Sequence, residues 1–210
     1  MHHADGVAWL QNAALPEGHA LVTSLPDHSE LPRLGFAGWR SWFIETAALA
    51  CRQVSDQGVA IFYQTDVKHD GCWIDKGYLV SRGAEDAGSA LLWHKVVCRA
   101  PPGQPTFGRP GYAHILCFSR ALRLTPGQSS ADVVPRLGEM PWPRAMGAEA
   151  CEAVVKFLVR DTRCHTVVDP FCGLGTILAV ANRHGLDAVG VELSAKRAAK
   201  ARELVVEASG

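Results

Sequence analysis

Apolar residues in this chain fall into two patterns: short unbroken runs, and stretches with three- and four-residue spacing. Residues 19–23 (HALVT) form a short run that predicts a strand, ending in Ser24-Leu25-Pro26-Asp27. Residues 36–54 carry Trp39, Trp42, Phe43, Thr46 and Ala50 at helical spacing, and Gly58 breaks that pattern. Residues 59–63 (VAIFY) are apolar throughout, as in a strand buried on both faces. A polar stretch at 64–76 follows, then an apolar triplet at 78–80, an Ala/Gly-rich turn and a strand at 91–97. Residues 100–111 hold four prolines and three glycines in twelve positions and predict a loop. A strand at 112–119 (YAHILCFS), an irregular proline-containing connector at 125–144 and a helix at 147–159 come next. The C-terminal part reads strand 166–169, helix 176–184, strand 188–192, helix 195–206. Strands alternating with helices predict an α/β fold, a mostly parallel sheet covered on both faces.

Composition narrows the class without changing it. The 210 residues are 48% hydrophobic and 20% charged, which suits one globular domain. No apolar run reaches the roughly 18 residues needed to cross a bilayer. The start, Met1-His2-His3-Ala4-Asp5, lacks the basic and apolar regions of a secretory signal. Seven cysteines include no C-x-x-C pair, so neither a disulfide framework nor a metal site is expected, and a reducing cytoplasm is. The net charge is zero, yet residues 91–145 carry seven basic side chains against two acidic ones, a local positive bias.

The chemistry concentrates in residues 166–179, where an apolar strand meets an acidic residue, a glycine turn and a helix. Open α/β sheets build ligand crevices in this way at the carboxyl ends of their strands. Gly173 and Gly175 permit a sharp turn and close backbone approach, and the helix start behind them attracts a carboxylate. A dinucleotide loop would place glycine at 178, where Leu178 stands, and the G-K-[ST] of a phosphate loop is absent.

Asp169-Pro170-Phe171-Cys172-Gly173-Leu174-Gly175-Thr176 resembles the D-P-F-x-G-x-G-T loop of the S-adenosylmethionine-dependent DNA/RNA amino-methyltransferases. The order of motifs resembles that family's beta-order, circularly permuted branch, in which the catalytic half precedes the donor loop. Residues 4–10 and 15–23 resemble its opening. Residues 91–95 (LLWHK) and 111–120 resemble two of its strands, and Trp142-Pro143-Arg144-Ala145-Met146-Gly147 the segment before the donor loop. The resemblance implies a Rossmann-like class I methyltransferase fold in one domain, 1–210. Residues 1–124 would be the catalytic half, 125–146 a connector and 147–210 the donor half. It implies S-adenosylmethionine as cofactor, with Asp169, Pro170, Phe171 and the Gly173–Thr176 turn around its amino-acid part. Glu192, seventeen residues after Gly175, would hold its ribose. Asp5 would lie near the adenine amine, and Met146 in the methionine pocket.

One departure from the family pattern matters. Where the family has [DNS]-P-P-[YFW], this chain has Ser24-Leu25-Pro26-Asp27. In the family the first side chain and a proline-linked carbonyl accept hydrogen bonds from the target amine, and the aromatic stacks on the flipped base. Ser24, Pro26 and Asp27 are therefore the catalytic candidates, with a carboxylate where a stacking ring should be. Either the target differs from an ordinary base amine or stacking comes from elsewhere, with Trp39, Trp42, Phe107 and Trp142 as candidates that core or loop packing also explains. His28, Asp66 and Lys68 are further candidates for touching substrate, being polar residues just past predicted strands. No Pro-Cys dipeptide occurs, which disfavours ring-carbon methylation through a thiolate. The expected activity is methyl transfer to a nitrogen or oxygen of nucleic acid. RNA, transfer RNA included, stands ahead of DNA because the chain has little room for a sequence-reading domain. A small-molecule or protein acceptor, and a non-catalytic S-adenosylmethionine- or RNA-binding partner subunit, are the rival expectations.

Overall fold

Strand residues of this protein point alternately to two cores, and each core is closed by its own set of helices. The computed structural model describes residues 1–207. In chain order the elements are β1 (His2–His3), α1 (Gly6–Gln11), β2 (His19–Thr23), α2 (Gly35–Gln53), β3 (Ala60–Gln64), β4 (Val67–His69) and β5 (Cys72–Ile74). They continue with α3 (Lys76–Asp86), β6 (Ala90–Cys98), β7 (Tyr112–Ser119), β8 (Val133–Val134) and α4 (Ala148–Asp161). The chain closes with β9 (Thr166–Asp169), α5 (Thr176–Arg183), β10 (Asp187–Glu192) and α6 (Ala195–Glu203).

Eight strands form one sheet in the order β1-β10-β9-β2-β3-β7-β6-β8, while β4 and β5 make a separate antiparallel hairpin. From β1 to β3 every neighbouring pair is parallel, β7 runs antiparallel to both β3 and β6, and β8 is parallel to β6. The fold is thus the expected mostly parallel α/β sheet.

Period-two alternation explains the layers. Leu21, Ala60, Phe62 and Val168 face a core closed by Leu10 of α1, Trp39 and Phe43 of α2, and Leu79 and Val80 of α3. Val22, Ile61, Val167 and Ile115 face the other core, closed by Val154 and Phe157 of α4 and Ile177 and Val180 of α5. Since β2 lies beside β9, the carboxyl ends of an N-terminal and a C-terminal strand meet at one sheet edge.

Two readings of the sequence need correction. The 78–80 triplet and the Ala/Gly-rich turn after it are helix α3. Asp75 caps it, accepting from the Tyr78 N–H at 2.8 Å. Its glycines serve packing, since a Cβ on Gly83 would overlap the Ile44 carbonyl of α2. The first twelve residues, assigned no element from sequence, supply the edge strand β1 and helix α1.

Candidate active site

Asp169 ends β9 and is 1% exposed. The Thr23 hydroxyl, at the end of β2, donates to its Oδ1 at 2.6 Å, and the Phe171 N–H donates to the same oxygen at 3.0 Å. Burial pushes the Asp169 carboxyl up to about 7, against the pull of these two donors, and the Glu192 charge nearby adds to the rise. The chain then turns through Gly173 (φ +55°) and Gly175 (φ +79°), left-handed conformations that glycine adopts at no steric cost. Gly175 is the residue from which α5 starts. The Gly173 N–H donates to Glu192 Oε2 at 3.1 Å, tying the turn to the end of β10. Glu192 Oε1 accepts from the Ser194 N–H at 2.7 Å and from Arg197 at 2.6 Å.

Asp169, Gly173, Glu192 and Arg197 line a cavity of about 330 Å³. Within the same wall lie Asp5, Met146, Pro170, Phe171 and Thr176, so all the cofactor candidates except Gly175 meet in one place. Gly175 sits behind the wall, where a Cβ would touch Ala201 at 3.3 Å. The catalytic candidates Ser24, Pro26 and Asp27 line this cavity too, although about 140 residues separate them from the donor loop. Their convergence follows from the pairing of β2 with β9.

The cavity suits S-adenosylmethionine on several independent grounds. Its size falls within the roughly 300–1,000 Å³ of small-molecule sites. Buried carboxylates end two adjacent parallel strands, and backbone at Gly173 comes so close to Trp142 that a Cβ would stand 3.0 Å from its ring. Leu193, 66% exposed directly after Glu192, and Met146 add apolar wall for a flat heterocycle. The Arg197 side chain, 44% exposed, pairs with Glu192 Oε1 at the cavity wall.

Asp27 has a partner that sequence reasoning did not find. Lys76, the first residue of α3, places Nζ 2.5 Å from Asp27 Oδ1, and its side chain is 3% exposed. Burial depresses the Lys76 ammonium, while Asp27 and then Glu30 oppose that shift. The network runs on: the Asp27 N–H donates to Glu30 Oε2 at 3.0 Å, and Arg144 of the connector pairs with Glu30 Oε1 at 2.7 Å. The Pro26 carbonyl accepts from the Trp39 indole N–H at 3.0 Å, fixing the turn on α2.

His28, Asp66 and Lys68 are not among the residues lining the cavity. His28 packs edge-on against Phe36 and Trp39. Lys68 lies on the β4–β5 hairpin with Nζ 4.8 Å from the Trp73 ring centre. Asp66 is buried and accepts from the Lys76 N–H, the Tyr112 hydroxyl and His114. Asp66, Asp75 and His114 do place ligand atoms within 4.8 Å of one another. Both Asp66 oxygens are nevertheless engaged by protein donors, so the cluster serves to fix the start of α3. Of the aromatic candidates, Trp39 is fully buried core, Phe107 is 94% exposed, and Trp42 and Trp142 line the cavity. Tyr63, Arg99 and Lys76 also line it and carry no signal in the sequence beyond residue type.

No protein-family profile matches the chain, and no curated protein matches it in sequence. Solved structures do match. A proposed DNA modification methylase from Thermus thermophilus, in complex with S-adenosyl-L-methionine, is 22% identical with a TM-score of 0.70, over 96% of this chain and 90% of that one. M1.HpyAVI in complex with S-adenosylmethionine is 15% identical with a TM-score of 0.61, over 96% of each chain. PvuII DNA methyltransferase, described as cytosine-N4-specific, is 15% identical with a TM-score of 0.69, over 95% of this chain and 83% of its own. The chain therefore has the class I S-adenosylmethionine-dependent methyltransferase fold that these proteins share.

Proposed function

We propose that this protein is an S-adenosylmethionine-dependent methyltransferase acting on an exocyclic amine of nucleic acid, with the catalytic half first in the chain in the permuted order. The observation that carries this reading is one cavity lined both by Ser24–Asp27 and by Asp169, Gly173 and Glu192. DNA replaces RNA as the favoured polymer, because the similar structures named for a substrate are DNA methylases.

When bound, S-adenosylmethionine supplies an electrophilic methyl group. Asp169 and the start of α5 would hold the amino-acid part, Glu192 the ribose, and Asp5, Met146 and Leu193 the adenine and methionine surroundings. Ser24 and the carbonyl linked to Pro26 would accept hydrogen bonds from the target amine and turn its lone pair toward the donor side of the cavity. Fixing two reactants in line is the main contribution such a site makes. The methylated nitrogen gives up one proton, which the Ser24–Asp27 turn passes to solvent, the Asp27 side chain being 23% exposed.

Decay of the catalytic turn is the alternative to an altered chemistry. A buried lysine seated on the variant carboxylate argues for a built arrangement, since burying a charge without a partner is costly. The test is transfer of labelled methyl from S-adenosylmethionine to DNA lacking modified bases, followed by mass spectrometry of the nucleosides. The expected result is one methylated amine, absent with Ser24→Pro protein. Methyl incorporation into RNA alone would return the substrate to RNA, and incorporation into neither would contradict the proposal.

A further inference from the structure

Lys76 and Asp27 form an ion pair against the cavity wall. Lys76 is pinned at the start of α3 by its N–H bond to Asp66 Oδ1 at 2.9 Å, and the Phe43 ring centre lies 5.4 Å from Nζ. Buried ion pairs are weak stabilisers, so stability alone does not explain one placed against a cavity.

The pair decides what position 27 can offer an acceptor. An aromatic ring presents a π face. An ionised carboxylate presents about four in-plane acceptor sites and no donor. Lys76 takes one site on Oδ1. Capacity remains on a side chain that lines the cavity and keeps 23% exposure. Lys76 Nζ donates to Oδ1, so the side chain at position 27 presents acceptor oxygens to the cavity.

We infer that Asp27, positioned by Lys76, is the recognition group for the hydrogen-bonding edge of the target base, and that this base is guanine. The inference rests on the methyl-transfer reading and specifies its substrate. Guanine carries a ring N–H beside its exocyclic amine. With Ser24 and the turn carbonyl accepting from the amine, Asp27 three residues on accepts from the ring N–H. Adenine and cytosine carry an unprotonated ring nitrogen in that place, whose lone pair would face the carboxylate. Such a site both attracts the right edge and repels the wrong ones. Thymine and uracil offer a ring N–H but no amine. Lys76 acts through Asp27 and is a positioning residue.

The experiment uses single-stranded oligonucleotides with one guanine, adenine or cytosine in a thymine background, and the same set in ribo form with uracil. Product nucleosides are identified by mass spectrometry after incubation with S-adenosylmethionine. Wild type should methylate the guanine amine, preferring it by about 10²-fold or more, since a polar site rejects a mismatched edge strongly. An oligonucleotide with hypoxanthine keeps the ring N–H without the amine, and should bind in an anisotropy assay without reacting. Asp27→Asn should lose that binding and the preference together. Lys76→Met should weaken hypoxanthine binding while leaving S-adenosylmethionine affinity unchanged, which a purely structural role would not do. The folded Asp27→Asn/Lys76→Met double variant should lack the preference too. Adenine or cytosine methylated as fast as guanine, or no transfer to any base, overturns the assignment. Calorimetry with S-adenosylmethionine separates the two levels: a protein that binds the donor and methylates adenine loses only the guanine inference, whereas one that does not bind it loses the methyltransferase reading.

Discussion

Lys76 Nζ lies 2.5 Å from Asp27 Oδ1, joining the first residue of a helix to the last residue of a turn 49 positions earlier. The ammonium is almost completely buried, and Asp27 is its carboxylate partner. Asp27→Asn therefore strands a buried charge and should lower stability by about 3–5 kcal/mol. Asp27→Asn combined with Lys76→Met should recover most of that loss, because both charges are then gone. Urea denaturation of the two single variants and the double variant measures the coupling directly. Independent, additive effects would show that the pair is not formed in solution.

Asp169 gives the protein a pH signature. Its carboxyl, raised by burial to about 7 from an ordinary 3.8, favours the protonated form in the folded state. Its contribution to stability is then fully present below about pH 4 and is lost as pH rises to about 7, because the unfolded chain ionises first. A bound ammonium needs the carboxylate, so S-adenosylmethionine affinity should rise as pH increases from 6 to 8, with release of a proton at the lower end. Calorimetry in buffers of different ionisation enthalpy counts that proton. Asp169→Asn should flatten both pH dependences.

Two glycines in facing helices should respond oppositely to alanine. In α2, a Cβ on Gly38 would meet only Leu34 Cβ at 3.6 Å, an ordinary contact. Gly38→Ala should stabilise by about 0.5–1 kcal/mol through helix propensity. In α3, a Cβ on Gly83 would overlap the Ile44 carbonyl, and Gly83→Ala should cost about 1–3 kcal/mol by overpacking. Thermal melts of both variants decide it. A neutral Gly83→Ala would mean that α2 and α3 are not so closely packed.

The strands were legible because their signal is local. Residues 19–23 and 112–119 coincide with β2 and β7, whose apolar runs need no distant partner to be read. The donor loop was legible for the same reason: strand, carboxylate, glycine turn and helix follow one another without a gap. Helix α3 was not, since its glycines and alanines mean close packing only once α2 is known to lie against them. Lys76 was invisible for a related reason. Nothing in its neighbours in sequence announces Asp27, and only the sheet edge shared by β2 and β3 brings the pair together. Asp66 shows the converse, a polar residue past a strand end that points into a closed hydrogen-bonded cluster and not into the cavity.

The central claim is that the cavity between the Ser24–Asp27 turn and the Gly173 loop holds S-adenosylmethionine. The most direct measurement is calorimetric titration of S-adenosylmethionine into wild type, Asp169→Ala and Glu192→Ala proteins, with folding of each checked by circular dichroism. Wild type should bind one equivalent. Each variant should lose about 10-fold to 10²-fold in affinity, the equivalent of one hydrogen bond to a charged group. Unchanged affinity in both variants, or no binding to wild type, would contradict the claim.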